Sequence, residues 1–129
     1  MTNAKAALTP LPGNWDLREN QGKAMAAETT RYQSIIGSLL YLMIGTCPDI
    51  SYTVTHLSQF STNPSEDHYK AALHVCCYLV GTQDYKLVYL SKSDKGLCAY
   101  TDSDWVSDKI RWRSVTSFFF KLAGGVISW

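Results

Sequence analysis

Two aspartates one residue apart are the side chains in this chain whose type and spacing most directly suggest chemistry. Asp102 and Asp104 follow the β-favouring run 97–101, and the two-residue period of an extended chain would place both carboxylates on one side. Carboxylates at the end of an apolar strand are typical ligands of a divalent cation that activates water. The alternative is structural, because aspartate and serine are also common turn formers and the strand could end in a polar turn.

Further β-type runs surround this pair. Residues 115–123 and 126–129 are rich in β-branched and aromatic residues, and the Gly124-Gly125 dipeptide between them is typical of a two-residue hairpin turn, in which both positions need a positive φ. Upstream, residues 85–90 alternate in the manner of a strand, and residues 91–96 are predicted to form a polar turn. The predicted order from residue 97 is a strand with an acidic end, a loop, a strand, a tight turn and a strand.

Three stretches with a helical period precede these strands. Residues 32–44 carry apolar side chains three and four positions apart, and Pro48 is suited to the first turn of a second helix. A third helix is predicted to have Asn63 as its N-cap, with Glu66 at the third position in a capping box, and to end at Gly81. Short connections between the three favour a small antiparallel three-helix bundle.

The pattern therefore divides the chain into three segments. Residues 1–31 show no sustained period and are predicted to be an extended tail or linker, with a short helix at 23–30 as the alternative and with Leu17 able to fold back onto the body. Residues 32–82 are the helical segment and residues 83–129 the β segment. The predicted fold class is α+β.

Composition limits the class of protein. With 129 residues, 46% hydrophobic and 18% charged, the chain can build one domain or two small ones. It lacks an apolar run of membrane-spanning length and a secretory signal pattern, so we expect an intracellular protein, in the cytoplasm or nucleus, without a membrane partner. The four cysteines have no zinc-type spacing and are expected to be reduced thiols.

The charge distribution gives little support for strong binding to a nucleic acid duplex. The net charge is +1, whereas duplex affinity comes mainly from a dense set of cations that neutralise phosphates. After the acidic strand, every second position from 109 to 113 is basic, namely Lys109, Arg111 and Arg113. These side chains either belong to a solvated loop or contact phosphates.

Short motifs follow one another in a fixed order along roughly three quarters of the chain. They comprise residues 32–42, 48–50, 57–60, 63–64, 68, 71–72, 78–79, 81–82, 100–105, 113–114 and 124–129. With these motifs, the chain resembles the Pol polyprotein of copia-type long-terminal-repeat retrotransposons. The helical segment is similar to the thumb and connection of a reverse transcriptase, and the β segment is similar to the opening strands of its ribonuclease H domain, in truncated form.

The resemblance implies a role for Asp102. Family ribonuclease H activity is hydrolysis of the RNA strand of a hybrid by two metal ions that lie roughly 4 Å apart and are held by about four carboxylates. Asp102 matches the first of these carboxylates, which makes it the candidate catalytic residue and the candidate Mg²⁺ ligand. The family's further carboxylates would follow Trp129, and one carboxylate is not expected to bind Mg²⁺ stably.

The resemblance also implies an incomplete polymerase. Family polymerase chemistry needs a pair of adjacent aspartates upstream of the helical segment, and residues 1–31 contain none. We therefore expect neither polymerase nor nuclease activity from this chain alone. The alternative is a non-catalytic α+β module, derived from a retroelement, that binds a protein or a nucleic acid.

Departures from the family pattern affect the expected partners. Trp112 stands where a second basic residue is usual and Cys77 where arginine is usual, while Val115 replaces a small hydroxyl residue and Ser117 a glycine. Two positive charges are thereby lost, so binding to an RNA–DNA hybrid or a template-primer duplex is expected to be weak. The apolar sheet would lack covering helices, which predicts either self-association or packing of the helices against it.

Overall fold

The computed structural model of the chain describes residues 5–12, 15, 17–91, 96–108 and 113–129, with their side chains except those of 103–108 and 113–115. These residues form three α-helices and one three-stranded antiparallel sheet, which confirms the α+β class. The elements are α1 (Ala26–Gly45), α2 (Ser51–Ser58), α3 (Glu66–Gly81), β1 (Cys98–Asp108), β2 (Arg113–Leu122) and β3 (Gly125–Ser128). Two compact units contain them, Met1–Asp84 with the helices and Tyr85–Trp129 with the strands.

Helix α1 begins at Ala26 rather than at the predicted Tyr32. Residues 26–31 include two alanines and a glutamate in the first turn, which favour a helix by propensity and by interaction with the helix dipole. The hydroxyls of Thr29 and Thr30 donate to carbonyls four residues earlier, at 3.1 and 3.0 Å. The predicted extended tail therefore ends before residue 26, and the short helix at 23–30 is part of α1.

The core of the helical unit comes from one face of each helix. It consists of Leu17, Tyr32, Ile36, Leu39, Ile50, Val54, Leu57, Phe60, Ala71, Ala72, Val75 and Tyr78. Within it, the Tyr32 hydroxyl donates a 2.8 Å hydrogen bond to the Leu57 carbonyl oxygen, which joins α1 to α2. Pro48 starts a short 3₁₀ turn that leads into α2, so the predicted helix start there is confirmed. None of the helices, within the ranges described above, is long and apolar enough to cross a bilayer.

The N-cap of α3 is Ser65, and the predicted Asn63 cap is wrong. The His68 backbone N–H donates to Ser65 Oγ at 3.3 Å, and the Ser65 N–H donates to His68 Nδ1 at 2.9 Å, which completes a capping box with histidine at the third position. Glu66, predicted to hold that position, instead forms an exposed ion pair with Lys70 at 2.9 Å. Asn63 is unavailable as a cap because its amide binds the N-terminal segment.

The segment before α1 lies against the helices. Leu17 is 7% exposed, which confirms that it folds back onto the body. The Ala7 N–H donates to the Cys77 carbonyl oxygen at 3.3 Å, and the Trp15 ring lies 5.4 Å from the His74 ring. The described residues of this segment form no helix or strand of their own, and they belong to the helical unit.

The sheet is a meander with strand order β1-β2-β3. β1 pairs antiparallel with β2 from Cys98↔Lys121 to Asp104↔Val115, and pairing resumes at Asp108↔Arg113 after a register shift. The prediction that the first strand ends at its aspartates is therefore wrong, because pairing with β2 carries it on to Asp108. The predicted order of three strands is confirmed.

The hairpin between β2 and β3 turns one residue earlier than predicted. Its two turn residues are Ala123, with φ 51°, and Gly124, with φ 81°, and Gly125 is the first residue of β3. A Cβ on Gly125 would lie 2.6 Å from the Tyr89 ring and 2.7 Å from the Val88 carbonyl oxygen. Gly125 is thus required for close approach of another segment and not for a positive φ.

The predicted strand at residues 85–90 is wrong. This segment, which the structure describes throughout, forms no ladder and is joined to the hairpin by a bond from the Leu90 N–H to the Ala123 carbonyl oxygen at 2.8 Å. The Tyr89 hydroxyl adds a 2.7 Å bond to the Val126 carbonyl oxygen. Of the predicted polar turn that follows, residues 92–95 lie outside the described residues.

Candidate functional site

Asp102 lies in the middle of β1, directly opposite Ser117 on β2. Residues that face each other across a ladder share one face of the sheet, as do residues two apart along a strand. The face that carries Asp102 therefore also carries Tyr100 and its partner Phe119. Asp102 is exposed, so its carboxylate is accessible to solvent and to a bound molecule.

An aromatic pair stands beside this carboxylate. The rings of Tyr100 and Phe119 stack with their centroids 4.7 Å apart and their planes 12° from parallel. Tyr100 is 51% exposed and Phe119 39% exposed. Around Asp102 the described side chains of this face thus include two stacked aromatic rings and one carboxylate, while Phe118 and Phe120 pack edge to face at 5.8 Å on the opposite side.

The second aspartate is described only in its backbone. Asp104 follows Asp102 by two residues on the same strand, and its backbone pairs with Val115. Its side chain lies outside the described residues, as does that of Arg113. The two aspartates therefore lie two residues apart on one strand, as the sequence predicted. Of their two carboxylates, the structure describes the position of that of Asp102.

The remaining predicted contact residues fall into two groups. Lys109, Arg111 and Trp112 lie outside the described residues, so the predicted basic loop has no structural account. Ser117 lies on β2 opposite Asp102, which places this departure from the family pattern beside the candidate site. Cys77 lies on α3, half-buried, where its carbonyl receives the Ala7 N–H.

The acidic groups of the described residues do not fit a two-metal centre. The part of the chain that the structure describes contains no group of three or more His, Cys, Asp or Glu residues placed to hold a metal ion. Magnesium prefers six oxygen ligands, and a protein normally contributes at least one or two carboxylates together with substrate phosphates. In this structure Asp102 can supply one carboxylate to such a centre.

His68 is a polar residue that sequence reasoning missed. It is fully buried in the helical unit, with its ring stacked on Phe60 at 3.8 Å. Burial lowers the pKa of His68, with a smaller effect in the same direction from His56, against a backbone hydrogen bond with Arg18 and the charge of Asp67, which act in the opposite direction. The available signal was its position three residues after Ser65, where a side chain can reach back to the N-cap.

The cysteines behave as packing residues. All four, Cys47, Cys76, Cys77 and Cys98, are unbonded and of intermediate burial, and their reduced state stays a prediction. Burial, with a smaller contribution from Cys77, raises the pKa of the Cys76 thiol. A raised pKa disfavours the thiolate, which is the form that attacks electrophiles or binds metals.

Several known proteins are similar to the chain in sequence. It is 40% identical over 98 residues to the secreted RxLR effector protein 161 of Plasmopara viticola, a match that spans 76% of this chain and 69% of that protein. It is 37% identical to the retrovirus-related Pol polyprotein from transposon TNT 1-94 of Nicotiana tabacum, and 36% identical to that from transposon RE2 of Arabidopsis thaliana. Both matches span 100% of this chain, which corresponds to 10% and 9% of the two polyproteins.

No protein-family profile and no solved structure matches the chain. The similar proteins named above are therefore the basis for relating this chain to a known family. Over its whole length the chain corresponds in sequence to a segment of the Pol polyproteins of two plant retrotransposons, at 36–37% identity.

Proposed function

We propose that the chain is the reverse transcriptase and ribonuclease H junction of a copia-type Pol polyprotein. On this proposal the unit Met1–Asp84 corresponds to the thumb and connection, and the unit Tyr85–Trp129 corresponds to the opening strands of ribonuclease H. The observation that carries the proposal is the exposed Asp102 in the first strand of an antiparallel meander. End-to-end similarity to Pol polyproteins supports it.

The proposed role of Asp102 is to contribute to hydrolysis of the RNA strand of an RNA–DNA hybrid within a complete polyprotein. There it would be one of several carboxylates that hold Mg²⁺, which supplies an activated water and neutralises the charge that develops on the scissile phosphate. The described residues alone do not assemble such a centre. The chain by itself is therefore proposed to be catalytically inactive, and to bind hybrid or template-primer duplex weakly.

The position of Asp102 suggests which surface would face the hybrid. Asp102, Tyr100 and Phe119 lie on one open face of the sheet. Exposed aromatic rings can contact sugars and unstacked bases without reading their sequence. The hybrid is therefore proposed to lie across this face, with the carboxylate directed at its backbone.

A segment exchange tests the proposal and gives the first prediction. The tobacco TNT 1-94 polyprotein, with its corresponding segment replaced by this chain, is expected to cleave the RNA of a hybrid in the presence of Mg²⁺ or Mn²⁺. Asp102→Asn in the exchanged segment should lower the rate by more than about 100-fold, since even residues behind the metal ligands change activity by about 10–100-fold.

The control for this exchange is Asp84→Asn, an exposed aspartate outside the sheet. It should leave hybrid cleavage unchanged. Equal cleavage by the Asp102→Asn and unsubstituted chimeras would refute the assignment of Asp102. The isolated chain, assayed in parallel, should show no turnover, and turnover that depends on Asp102 would contradict its proposed inactivity.

A further inference from the structure

The N-terminal strap, defined here as residues 17–24, is held to the beginning of α3 by side-chain amides. Asn63 Nδ2 donates to the Asn20 carbonyl oxygen at 3.2 Å, and Asn63 Oδ1 accepts the Ala24 N–H at 2.9 Å. In return, Asn20 Nδ2 donates to the Pro64 carbonyl oxygen at 3.0 Å. The strap therefore depends on the conformation of the short segment just before the N-cap of α3.

The conformation of that segment depends in turn on His68. Ser65 follows Pro64 directly, and its N–H donates to His68 Nδ1 at 2.9 Å while its hydroxyl lies 3.1 Å from the same nitrogen. A ring nitrogen that accepts an N–H cannot itself carry a proton, so the imidazole is neutral when this bond is made. The ring is fully buried and stacked on Phe60, so it has no space in which to turn away without disturbing the core.

The charges around His68 come from several elements. Asp67 on α3 favours the protonated ring, His56 on α2 disfavours it, and the strap contributes a backbone hydrogen bond with Arg18 that favours it. Desolvation exceeds the favourable contributions, and the pKa of His68 is lowered.

We propose that His68 is a pH-dependent clasp, in which a proton taken up from solvent on Nδ1 removes the acceptor of the Ser65 N–H and thereby releases the strap from α3. The new N–H on the ring then faces the N–H of Ser65, so the Ser65 N–H loses its acceptor and the capping box loses one of its two bonds. The ring N–H can instead donate to Ser65 Oγ, which lies 3.1 Å away. The strap is held at pH values above the unfolded histidine pKa of about 6.5 and is released progressively as the pH falls below it. This device does not depend on the nucleic-acid function proposed above.

Hydrogen exchange of the full chain between pH 7.5 and pH 5.0, corrected for the intrinsic pH dependence of exchange, tests the clasp. The opening constant of the strap amides should rise by up to about tenfold per pH unit below the unfolded pKa. Amides in the middle of α3 should keep their protection over the same range. An NMR titration of the His68 ring should show protonation in the same pH interval as release of the strap.

Two variants complete the test. His68→Gln keeps a side-chain oxygen that can accept the Ser65 N–H but cannot titrate, so its strap protection should not change with pH. His74→Gln is the matched control, because His74 contacts the Thr9 carbonyl oxygen at 3.0 Å, outside the strap, and should retain the wild-type response.

The proposal is overturned by any of three results. These are constant strap protection in the wild type, an undiminished pH response in His68→Gln, and loss of α3 protection in parallel with the strap, which would mean that the whole unit unfolds. Should His68→Gln fail to fold, the wild-type comparison of ring titration with strap release decides. Release at a pH where the ring does not titrate would exclude the clasp.

Discussion

At the scale of single residues, the helical unit buries polar groups that each have a defined task. The Tyr32 hydroxyl, in a fully buried side chain, donates to the Leu57 carbonyl oxygen at 2.8 Å. Tyr78, 7% exposed, donates to Asp49 Oδ2 at 2.7 Å and so joins α3 to the start of the turn before α2. A buried polar group that is hydrogen-bonded adds little to the free energy of unfolding, but a buried partner left without a hydrogen bond lowers it considerably. We therefore expect measurable effects from small changes at these positions.

The second prediction concerns Tyr32→Phe. The substitution removes one donor from the Leu57 carbonyl oxygen, which still accepts the Phe60 N–H at 3.1 Å, and should lower the free energy of unfolding of the helical unit by about 0.5–1.5 kcal/mol. Urea titration followed by the helical circular dichroism signal measures it. Tyr41→Phe on the same helix is the control, since Tyr41 is 80% exposed, and it should be neutral. Equal stabilities of the two variants would contradict the role of the Tyr32 hydroxyl.

Tyr32 also makes the stability depend on alkaline pH. Burial raises the pKa of Tyr32 above its ordinary value of 10.0, so the folded state keeps the phenol proton where the unfolded state loses it. The contribution of the uncharged Tyr32 to the free energy of unfolding is complete below about pH 10 and is lost as the pH rises further. In Tyr32→Phe this part of the alkaline loss of stability should be absent.

At the scale of elements, glycines show how neighbouring segments are fitted together. Gly125 begins β3 in contact with Tyr89 and Val88, where a Cβ would approach to 2.6–2.7 Å. Gly96, before β1, has nothing within 4 Å of such a Cβ. The two glycines belong to one unit, but only the first is required by packing. A substitution should therefore destabilise the hairpin at Gly125 and have no such effect at Gly96.

The third prediction is that Gly125→Ala weakens the hairpin while Gly96→Ala does not. The added methyl must displace the Tyr89 ring and meets the Val88 backbone oxygen, and overpacking of this kind costs about 1–3 kcal/mol. Hydrogen exchange of the β2 and β3 amides should be faster in Gly125→Ala by about tenfold or more. Wild-type exchange rates in that variant would show that the segment 85–90 does not press on the hairpin.

At the scale of the whole molecule, the sheet exposes several large apolar side chains. Tyr100, Phe118, Phe119, Leu122 and Ile127 are each 39–51% exposed. They include residues on both faces of the β1–β2 pair, as the alternation of the register requires. Large exposed apolar patches usually mark contacts with other molecules. We therefore expect the chain to associate with other copies of itself.

The fourth prediction is that the chain associates with copies of itself through the sheet. Sedimentation equilibrium should give an average mass that rises with concentration. Phe119→Lys should weaken association by about tenfold or more, because burial of a phenylalanine contributes about 1.5–3 kcal/mol. Tyr41→Lys, an exposed aromatic residue on α1, is the control and should leave association unchanged. A monomer at high concentration would exclude this prediction.

The sequence by itself determined the features that near neighbours control. The hydrophobic period of residues 32–44 and the β-favouring composition of 97–101 and 115–123 predicted helix and strands correctly, because these patterns reflect which face of an element is buried. The alternation in residues 85–90 predicted a strand that does not form. The placement of Asp102 on a strand followed from the pattern of residues 97–101. Its exposure and its pairing with Ser117 did not, because they depend on the register with β2.

Tertiary structure alone decided the features that depend on distant partners. Asn63 was the best local candidate for the cap of α3, but its amide is engaged by Asn20, 43 residues earlier in the chain, and Ser65 takes its place with the buried His68. Gly125 was predicted to be a turn residue, but it is the close approach of Tyr89 that requires a glycine at this position. In both cases a contact with a residue far away in the sequence prevails over the local preference. A buried polar group must have a hydrogen-bond partner, and closely packed segments leave space for one arrangement of side chains.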